Sequence, residues 1–285
     1  MKLLKIAIQK SGRLSEKSLE LIKECDIKIT EGKRRLIGVS NDYPLELLYL
    51  RDDDIPQYVA DGVADIGIVG ENEVMEKNKN VKLVQRLGFA TCRLSLAIPQ
   101  DAEYNGLQWF NGKRIATSYP GILKKFLKEN NISMTIEEIS GSVEIAPSIG
   151  LADCIFDIVS SGSTLVSNRL KEVEVVTKSE AVIISSPKLD AEKQKLLDGL
   201  LFRIKTVQQS IGNKYILLNA PNKRLDDIFR ILPGMKSPTV LPLHLEGWSS
   251  VHSVVNEKEF WGIIDKLKEC GAEGILVIPI EKMIL

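Results

Sequence analysis

Short apolar segments alternate with helix-like periodicity up to about residue 210 of this 285-residue chain, and no other feature limits its fold as strongly. Strands are predicted at six apolar segments, residues 3–8, 63–69, 94–98, 114–117, 135–139 and 155–159. Apolar residues three or four positions apart predict helices between these strands. Strands that alternate with helices are typical of parallel sheets covered by helices, so the sequence predicts an α/β fold.

Two helices of this region have recognisable ends. Ser15 is a predicted N-cap for a helix that carries Leu19 and Ile22. A long helix is predicted from about residue 191 to 210, with Asp190 as its N-cap. It presents one apolar face, formed by Leu196, Leu197, Leu200, Leu201, Ile204 and Val207.

Residues 213–285 follow a different order. Strands are predicted at four segments, residues 215–219, 240–245, 250–255 and 275–280. Helical stripes lie at residues 225–232 and 260–267, and Asn256 with Glu259 resembles a capping box. The order βαββαβ is ferredoxin-like, although a fold alone does not give a function.

The composition excludes several classes of protein. Lys plus Arg and Asp plus Glu each number 38, so no general positive field favours nucleic acid. The four cysteines form no CxxC pair and only two histidines are present, which argues against structural zinc and for reduced thiols in the cytoplasm. No apolar run approaches the ~18 residues of a membrane span. The N-terminal segment is predicted to be a first strand and not a signal peptide.

Residues 157–164, DIVSSGST, form a polar turn between a predicted strand and a helix. Small residues allow backbone N–H groups to approach a phosphate closely, and the hydroxyls add donors. Asp157 stands at the strand end, where it is able to orient a sugar hydroxyl or a metal-bound water. The alternative is an ordinary turn capped by Ser or Thr. No Gly-Lys-Ser/Thr follows, so the turn is not a P-loop.

Two further segments carry basic residues, the first of them directly after the strand predicted at residues 3–8. Lys10, Gly12 and Arg13 form either an anion cradle or a solvated basic loop. Arg51 precedes the three acids 52–54, which offer oxygen ligands to Mg²⁺ or favour the positive end of a helix. Consecutive residues of a helix do not face one point, so Arg51 is the better candidate for a substrate contact.

Seven segments occur in the order found in one enzyme family: residues 8–14, 50–56, 65–72, 92–97, 112–120, 141–144 and 157–164. In this order they resemble ATP phosphoribosyltransferase, the first enzyme of histidine biosynthesis. The C-terminal third resembles the extra domain of the long form of that enzyme. The resemblance covers essentially the whole chain.

The resemblance implies a fold and a division into domains. Residues 1–90 with 184–212, and residues 91–183, are expected to form two lobes like those of a type II periplasmic binding protein. Residues 213–285 are expected to form an ACT-like regulatory domain. A homo-oligomer, a dimer or hexamer, is expected.

The implied reaction transfers the 5-phosphoribosyl group of 5-phosphoribosyl diphosphate to N1 of ATP and releases pyrophosphate. Mg²⁺ is expected with the polyphosphates, but the sequence does not identify its ligands. Such a substitution depends on positioning and charge stabilisation more than on a protein nucleophile. The sequence agrees, because both histidines lie in the C-terminal module and no G-x-S-x-G occurs.

The resemblance also implies roles for residues. Asp157, Arg51 and Lys10 are the expected catalytic residues. Substrate contacts are expected from Ser160, Ser161, Gly162, Ser163, Thr164, Gly12, Arg13, Glu71, Arg93, Lys113 and Glu144. For Glu71, Arg93 and Lys113, structural ion pairs are the alternative, and Tyr119 either stacks on adenine or belongs to the core.

L-Histidine is the expected allosteric inhibitor. It would bind near Thr239 and Ala272, between modules of neighbouring subunits, although a turn of a small α/β domain is the alternative for both residues. Two other functions stay open. One is a two-lobed ligand-binding or sensing protein, and the other is a non-catalytic subunit of the pathway. Nucleic acid and membranes are not expected partners.

Overall fold

The computed structural model describes residues 2–31 and 36–285, without the side chain of Glu31. The chain divides into two compact units, with the division between Leu197 and Asp198. None of the helices in these residues is long and apolar enough to cross a bilayer.

In the described part of the first unit there are two sheets and five complete α-helices. Its strands are β1 (Leu4–Gln9), β2 (Ile29–Glu31), β3 (Ile37–Ser40), β4 (Leu45–Leu50), β5 (Ile66–Gly70), β6 (Lys82–Arg86), β7 (Cys92–Pro99), β8 (Arg114–Thr117), β9 (Thr135–Glu138), β10 (Cys154–Val159), β11 (Leu170–Ser179) and β12 (Ala181–Ser185). Its helices are α1 (Arg13–Glu24), α2 (Ile55–Ala60), α3 (Glu71–Lys77), α4 (Pro120–Glu129) and α5 (Ser163–Ser167), and α6 (Ala191–Ser210) begins in it.

The first sheet has the strand order β2-β3-β4-β1-β5-β12-β6. Its centre is parallel, since β1 pairs in parallel with both β4 and β5. The outer strands are antiparallel. On one side β12 returns from the other sheet and runs against β5 and β6, and on the other side β2 and β3 pair antiparallel with each other and with β4. The apolar side chains of β1 are buried here, and Ile55 and Val59 of α2 pack with Ala7 of β1.

The second sheet has the order β11-β7-β10-β8-β9. Strands β10, β8 and β9 are parallel, whereas β7 and β11 run antiparallel to their neighbours. Phe110 and Phe156 are the largest side chains in its core, and both are fully buried. Both sheets are thus mixed, whereas the alternation of strands and helices had predicted parallel sheets.

The chain changes sheets twice within the first unit. It enters the second sheet with β7 at Cys92 and rejoins the first sheet with β12 at Ala181. We refer to the first sheet with its helices as lobe I and to the second as lobe II. We keep the boundaries predicted from the sequence, after residues 90, 183 and 212, as a proposal.

The second unit has the ferredoxin-like order that the sequence predicted. After the end of α6, its elements are β13 (Asn213–Pro221), α7 (Leu225–Ile231), β14 (Thr239–Pro242), β15 (Trp248–Asn256), α8 (Glu257–Glu269) and β16 (Glu273–Pro279). The sheet order is β14-β15-β13-β16, and its pairings are antiparallel. Ile228 of α7 and Leu267 of α8 pack against Ile216, Leu218 and Val251 of the sheet.

The helix ends test the local predictions. Asp190 caps α6 through the N–H of Lys193 at 2.9 Å, and Asn256 caps α8 through the N–H of Lys258 at 3.0 Å. The prediction for Ser15 was wrong, because α1 begins at Arg13 after Gly12. Ser15 lies inside the helix and is buried.

Two glycines should respond to the same substitution in opposite directions. A Cβ at Gly67 of β5 would lie 2.6 Å from the Cγ2 of Ile55, so Gly67→Ala should lower the free energy of unfolding by about 1–3 kcal/mol. A Cβ at Gly262 of α8 would meet no atom within 4 Å, so Gly262→Ala should raise it by roughly 1 kcal/mol. Urea denaturation followed by circular dichroism measures both, and equal shifts would contradict the packing described for β5.

Candidate functional site

Two basic residues lie side by side where the central strands of lobe I end. The parallel register of β1 and β4 sets Gln9 opposite Leu50. The N–H of Lys10 donates to the carbonyl of Leu50 at 2.8 Å, so Lys10 and Arg51 follow neighbouring strand ends. Both residues are exposed, and together they give this edge of the sheet a local positive charge.

A third basic residue joins this edge through a glycine. Gly12 has φ of +96°, a conformation that side chains rarely adopt, and its carbonyl accepts the N–H of Glu16 at 3.1 Å. Helix α1 therefore begins directly after Gly12, with Arg13 exposed in its first turn.

The serine-rich turn of lobe II, residues 160–164, connects β10 to α5. Gly162 has φ of +81°, and the hydroxyls of Ser161 and Ser163 lie 2.9 Å apart. Ser161, Ser163 and Thr164 are exposed. The first N–H groups of a helix have no acceptor within that helix, so the turn offers both amides and hydroxyls to an anion.

The serine-rich turn lines a cavity that contains groups from both lobes. Its volume is about 210 Å³, and Arg13 of lobe I contributes to its wall. Lobe II supplies the remaining wall, which consists of Glu144, Asp157, Ile158, Val159, Ser160, Ser161, Gly162, Ser163, Thr164 and Leu165. The structure thus brings eight of the predicted site residues to one place.

Asp157 is the half-buried acid of this cavity. It lies on β10 opposite Ser95 of β7, and its Oδ1 accepts the N–H of Ile158 at 2.8 Å. Burial raises the pKa of the Asp157 carboxyl to about 6, the Ile158 N–H opposes this rise, and the charge of Glu144 adds to it. Asp157 is therefore charged at neutral pH and becomes protonated in mildly acidic solution.

The side chain of Arg93 forms an ion pair and hydrogen bonds with other protein groups, which was the alternative to a substrate contact. Its Nε and Nη2 donate to the carboxylate of Glu172 at 2.5 and 2.6 Å, and its Nη1 donates to the carbonyl of Ser160 at 3.0 Å. The hydrogen bonds from Arg93 hold the pKa of Glu172 below its usual range. Arg93 therefore supports the start of the serine turn rather than extending into the cavity.

Two other predicted contacts lie apart from this cavity. Glu71, the first residue of α3, accepts from the Nε of Arg86 at 3.1 Å. The Nζ of Lys113 lies 4.2 Å from the centre of the Trp109 ring. Lys113 precedes β8, whose other end is level with Phe156, so it stands at the end of lobe II remote from the serine turn.

The acids after Arg51 are engaged with protein groups. Asp53 forms an ion pair with Lys77 at 3.4 Å, and Asp52 accepts the N–H of Asp53 at 3.1 Å. Within residues 2–31 and 36–285, no three His, Cys, Asp or Glu side chains are grouped so that they could hold a metal ion.

Sequence reasoning missed a buried polar network between the lobes. Tyr119 Oη, just before α4, donates to Glu73 of α3 at 3.0 Å, and the amide of Asn72 donates to the same oxygen at 2.9 Å. Burial raises the pKa of Glu73 to about 7, although the hydrogen bond from Tyr119 lowers it. The sequence gives no signal for this network, because the burial of Glu73 depends on a residue 46 positions away.

The two predicted allosteric residues lie at opposite edges of the C-terminal sheet. Thr239 is exposed in β14 opposite His252, whereas Ala272 precedes β16 and is 6% exposed. Three strand spacings of about 4.8 Å separate these edges, or about 14 Å. One copy of the module therefore does not bring Thr239 and Ala272 together.

The cavity and its surroundings suit a polyanionic ligand. Hydroxyls and amides lie on one side, Arg13 contributes to the same wall, and Lys10 and Arg51 stand at the neighbouring strand ends. The chain carries no net charge, so this local arrangement, and not a general field, provides the attraction.

Known proteins share this sequence and fold. A family model described as ATP phosphoribosyltransferase (HisG) matches residues 51–206, and one described as the HisG C-terminal domain matches residues 211–282. The ATP phosphoribosyltransferase of Bacteroides fragilis is 60% identical over 283 residues, which are 99% of this chain and 100% of that protein.

Solved structures agree with this assignment. A chain of the ATP phosphoribosyl transferase (HisG:HisZ) complex from Thermotoga maritima is 28% identical with a TM-score of 0.62, covering 71% of this chain and 99% of that one. The substrate-binding protein of an amino acid ABC transporter is 12% identical with a TM-score of 0.50, covering 73% of this chain and 94% of that one. The latter shows the fold alone and confirms the expected likeness to periplasmic binding proteins.

These matches agree with each other along the sequence. The first family model covers more than half of the chain, and the second covers the ferredoxin-like unit. The identity to the Bacteroides fragilis enzyme extends over both. The chain therefore belongs to the ATP phosphoribosyltransferase family.

Proposed function

We propose that this protein transfers the 5-phosphoribosyl group of 5-phosphoribosyl diphosphate to N1 of ATP, releases pyrophosphate, and is inhibited by L-histidine. The observation that carries the proposal is the shared cavity, in which Arg13 of lobe I meets the serine turn and Asp157 of lobe II. A reaction between two polyphosphate substrates requires anion-binding groups on both sides of a cleft.

The 5-phosphate of the ribose binds the serine turn. Small side chains and the left-handed Gly162 leave the turn open to a phosphate, and the hydroxyls of Ser161, Ser163 and Thr164 donate to its oxygens. Asp157 lies at the base of the same cavity, where its carboxylate accepts hydrogen bonds from the ribose hydroxyls.

The chemistry is a displacement at C1 of the ribose. The lone pair of adenine N1 forms the new bond to C1, and the bond from C1 to the diphosphate oxygen breaks with its electrons leaving on pyrophosphate. Lys10, Arg13 and Arg51 stabilise the negative charge that grows on the leaving group. The carboxylate of Asp157 faces the positive charge that develops on the ribose ring, and no general base is needed at N1.

Mg²⁺, when bound with the polyphosphates, would neutralise part of the charge on the diphosphate and triphosphate. Mg²⁺ usually keeps several waters and binds through one or two carboxylates plus phosphate oxygens. This fits a site in which Asp157 is the acid beside the phosphate-binding turn and the substrates supply most ligands. The remaining predicted contacts, Glu144 in the wall and Gly12 beside Arg13, shape the same region.

Histidine regulation belongs to the C-terminal unit. The exposed hydroxyl of Thr239 donates a hydrogen bond to the amino acid. Ala272 contributes backbone groups because its side chain is buried. Since these residues stand at opposite edges of one sheet, their joint use requires modules of neighbouring subunits, as in a dimer or hexamer. The protein works in the cytoplasm, where both substrates are made.

Removal of Asp157 or Thr164 should reduce turnover without unfolding the protein. Asp157→Asn and Thr164→Val remove a charge and a donor that face the substrate, and we expect kcat/KM for pyrophosphate release to fall at least about 100-fold. Asp101→Asn and Thr135→Val are matched controls at exposed positions of the same unit. Normal turnover in both test variants would contradict the proposed ribose and phosphate site.

Activity should depend on pH through Asp157. Because the pKa of its carboxyl is about 6, kcat/KM should fall as the pH drops below 6. The folded state holds this proton more tightly than the unfolded chain, so the group's contribution to stability decreases as pH rises from about 4 to 6. Asp157→Asn should remove both trends, and an unchanged stability profile in this variant would contradict the assignment.

Histidine should suppress pyrophosphate release when Mg²⁺, ATP and 5-phosphoribosyl diphosphate are all present. Omission of either substrate should abolish release, because each supplies one reacting atom. Thr239→Val should weaken inhibition by roughly tenfold, the effect of about one lost hydrogen bond, with basal turnover unchanged. Pyrophosphate release that histidine does not suppress would support the transferase activity and contradict its regulation by histidine. If the folded protein released no pyrophosphate, a function in ligand binding alone would be favoured.

A further inference from the structure

Helix α3 of lobe I supplies the N-terminal cap of helix α4 of lobe II. The side chain of Tyr119, at the N-cap position of α4, makes no capping hydrogen bond. Instead, the two carboxylate oxygens of Glu76 accept the N–H groups of Gly121 and Ile122 at 2.8 and 2.9 Å. A carboxylate at a helix N-terminus satisfies free amides and faces the positive end of the helix dipole.

The close approach of these helices depends on Gly121. A Cβ at this position would lie 3.0 Å from the Oε1 of Glu76 and 3.2 Å from the backbone oxygen of Glu76. Both distances are shorter than ordinary contacts, so a side chain here would push α3 and α4 apart. Gly121 does not adopt a positive φ, and its role is to leave space.

The network around Glu73 forms a second link between the lobes. Glu73 and Asn72 are 6% and 5% exposed, and Tyr119 Oη donates to Glu73 across the lobe boundary at 3.0 Å. Asn72 is bonded in turn to Ser179, where the chain leaves β11 on its way back to lobe I, with its Oδ1 accepting from Ser179 Oγ at 2.9 Å. The polar atoms of this network satisfy each other, so the link is rigid as long as the lobes stay together.

Both contacts between the lobes lie close to residues of the proposed site. Tyr119 lies near enough to Asp157 and Asp52 for their charges to raise the pKa of its hydroxyl, after burial and Glu73. Lys77, at the end of α3, pairs with Asp53, two residues after Arg51. Helix α3 therefore contacts both the turn that follows Arg51 and, through Glu73, the Tyr119 side chain of lobe II.

We propose that Glu73 and Glu76 are positioning residues that latch the two lobes together, so that Arg13 reaches the serine turn. The proposal rests on the proposed function for its effect on turnover, but the latch itself is a structural claim. Neither glutamate lines the cavity of about 210 Å³. Their effect is on the fraction of molecules whose lobes are closed.

Loss of the latch should act on KM and spare kcat. When only a fraction of the protein is competent to bind, apparent affinity falls by that fraction, and saturating substrate restores the closed form. We expect Glu76→Ala to raise KM for 5-phosphoribosyl diphosphate about tenfold and to leave kcat within about twofold. Glu76→Gln keeps one acceptor and should give an intermediate value.

The pH dependence of KM provides a second readout. Glu73 is faced by Tyr119 before α4, by Asp52 and Asp53 after Arg51, and by Lys77 of its own helix. Opening of the lobes hydrates its carboxyl, and the charged form gains most from water. A rise in pH from about 4.5 to about 7 should therefore favour opening and increase KM in the wild type. Glu73→Gln keeps an acceptor for Tyr119, does not ionise, and should lose this part of the pH dependence.

Hydrogen exchange separates the latch from the activity. In Glu76→Ala the amides of Gly121 and Ile122 lose their acceptors and should exchange at least tenfold faster. Glu129→Ala, an exposed glutamate at the other end of α4, is the matched control for exchange and kinetics.

Each outcome decides between distinct claims. Unchanged exchange in Glu76→Ala would overturn the latch, whatever the kinetics. Faster exchange with wild-type KM, or a fall in kcat alone, would overturn its positioning role. Faster exchange and weaker binding of 5-phosphoribosyl diphosphate by calorimetry, in a protein without turnover, would support the latch and refute the proposed reaction.

Discussion

The site of this protein depends on contact between its two lobes. Lobe II provides hydroxyls, amides and Asp157, but its serine turn alone lacks a cation that extends into the cavity, because Arg93 is engaged by Glu172 and by the turn itself. Arg13 comes from lobe I. A cleft between two lobes binds a polyanion only while both walls are present, and in the proposed mechanism the contact between α3 and α4 keeps both walls in place.

Charge in this structure is local and mostly compensated. The chain is neutral as a whole, and many acids and bases near the cleft are already paired, such as Glu71 with Arg86 and Asp53 with Lys77. Asp157 and Glu73 differ, since burial raises the pKa of each carboxyl toward neutrality. Asp157 lies in the cavity wall, and Glu73 joins the lobes.

Hydrophobic periodicity and capping residues predicted the helices and strands whose apolar side chains lie on a single buried face. The long α6 with its Asp190 cap, strands β1 and β10, and the order of the C-terminal unit all follow from periodicity and capping residues. Helix α3 and six strands were not predicted from the sequence, namely β2, β3, β4, β6, β11 and β12. Strand β12 is buried throughout because it lies between β5 and β6. Only its position in the sheet distinguishes such a short apolar segment from a buried helix.

The sequence by itself determined which chemical groups are available. Gly162 between serines and Gly12 before Arg13 are local features, and their conformations follow from the chain nearby. Tertiary structure decided which of these groups meet. It placed Arg13 beside the serine turn, turned Arg93 to Glu172, and left Lys113 at the remote end of β8, because the partner of a charged side chain is chosen by packing between segments far apart in sequence.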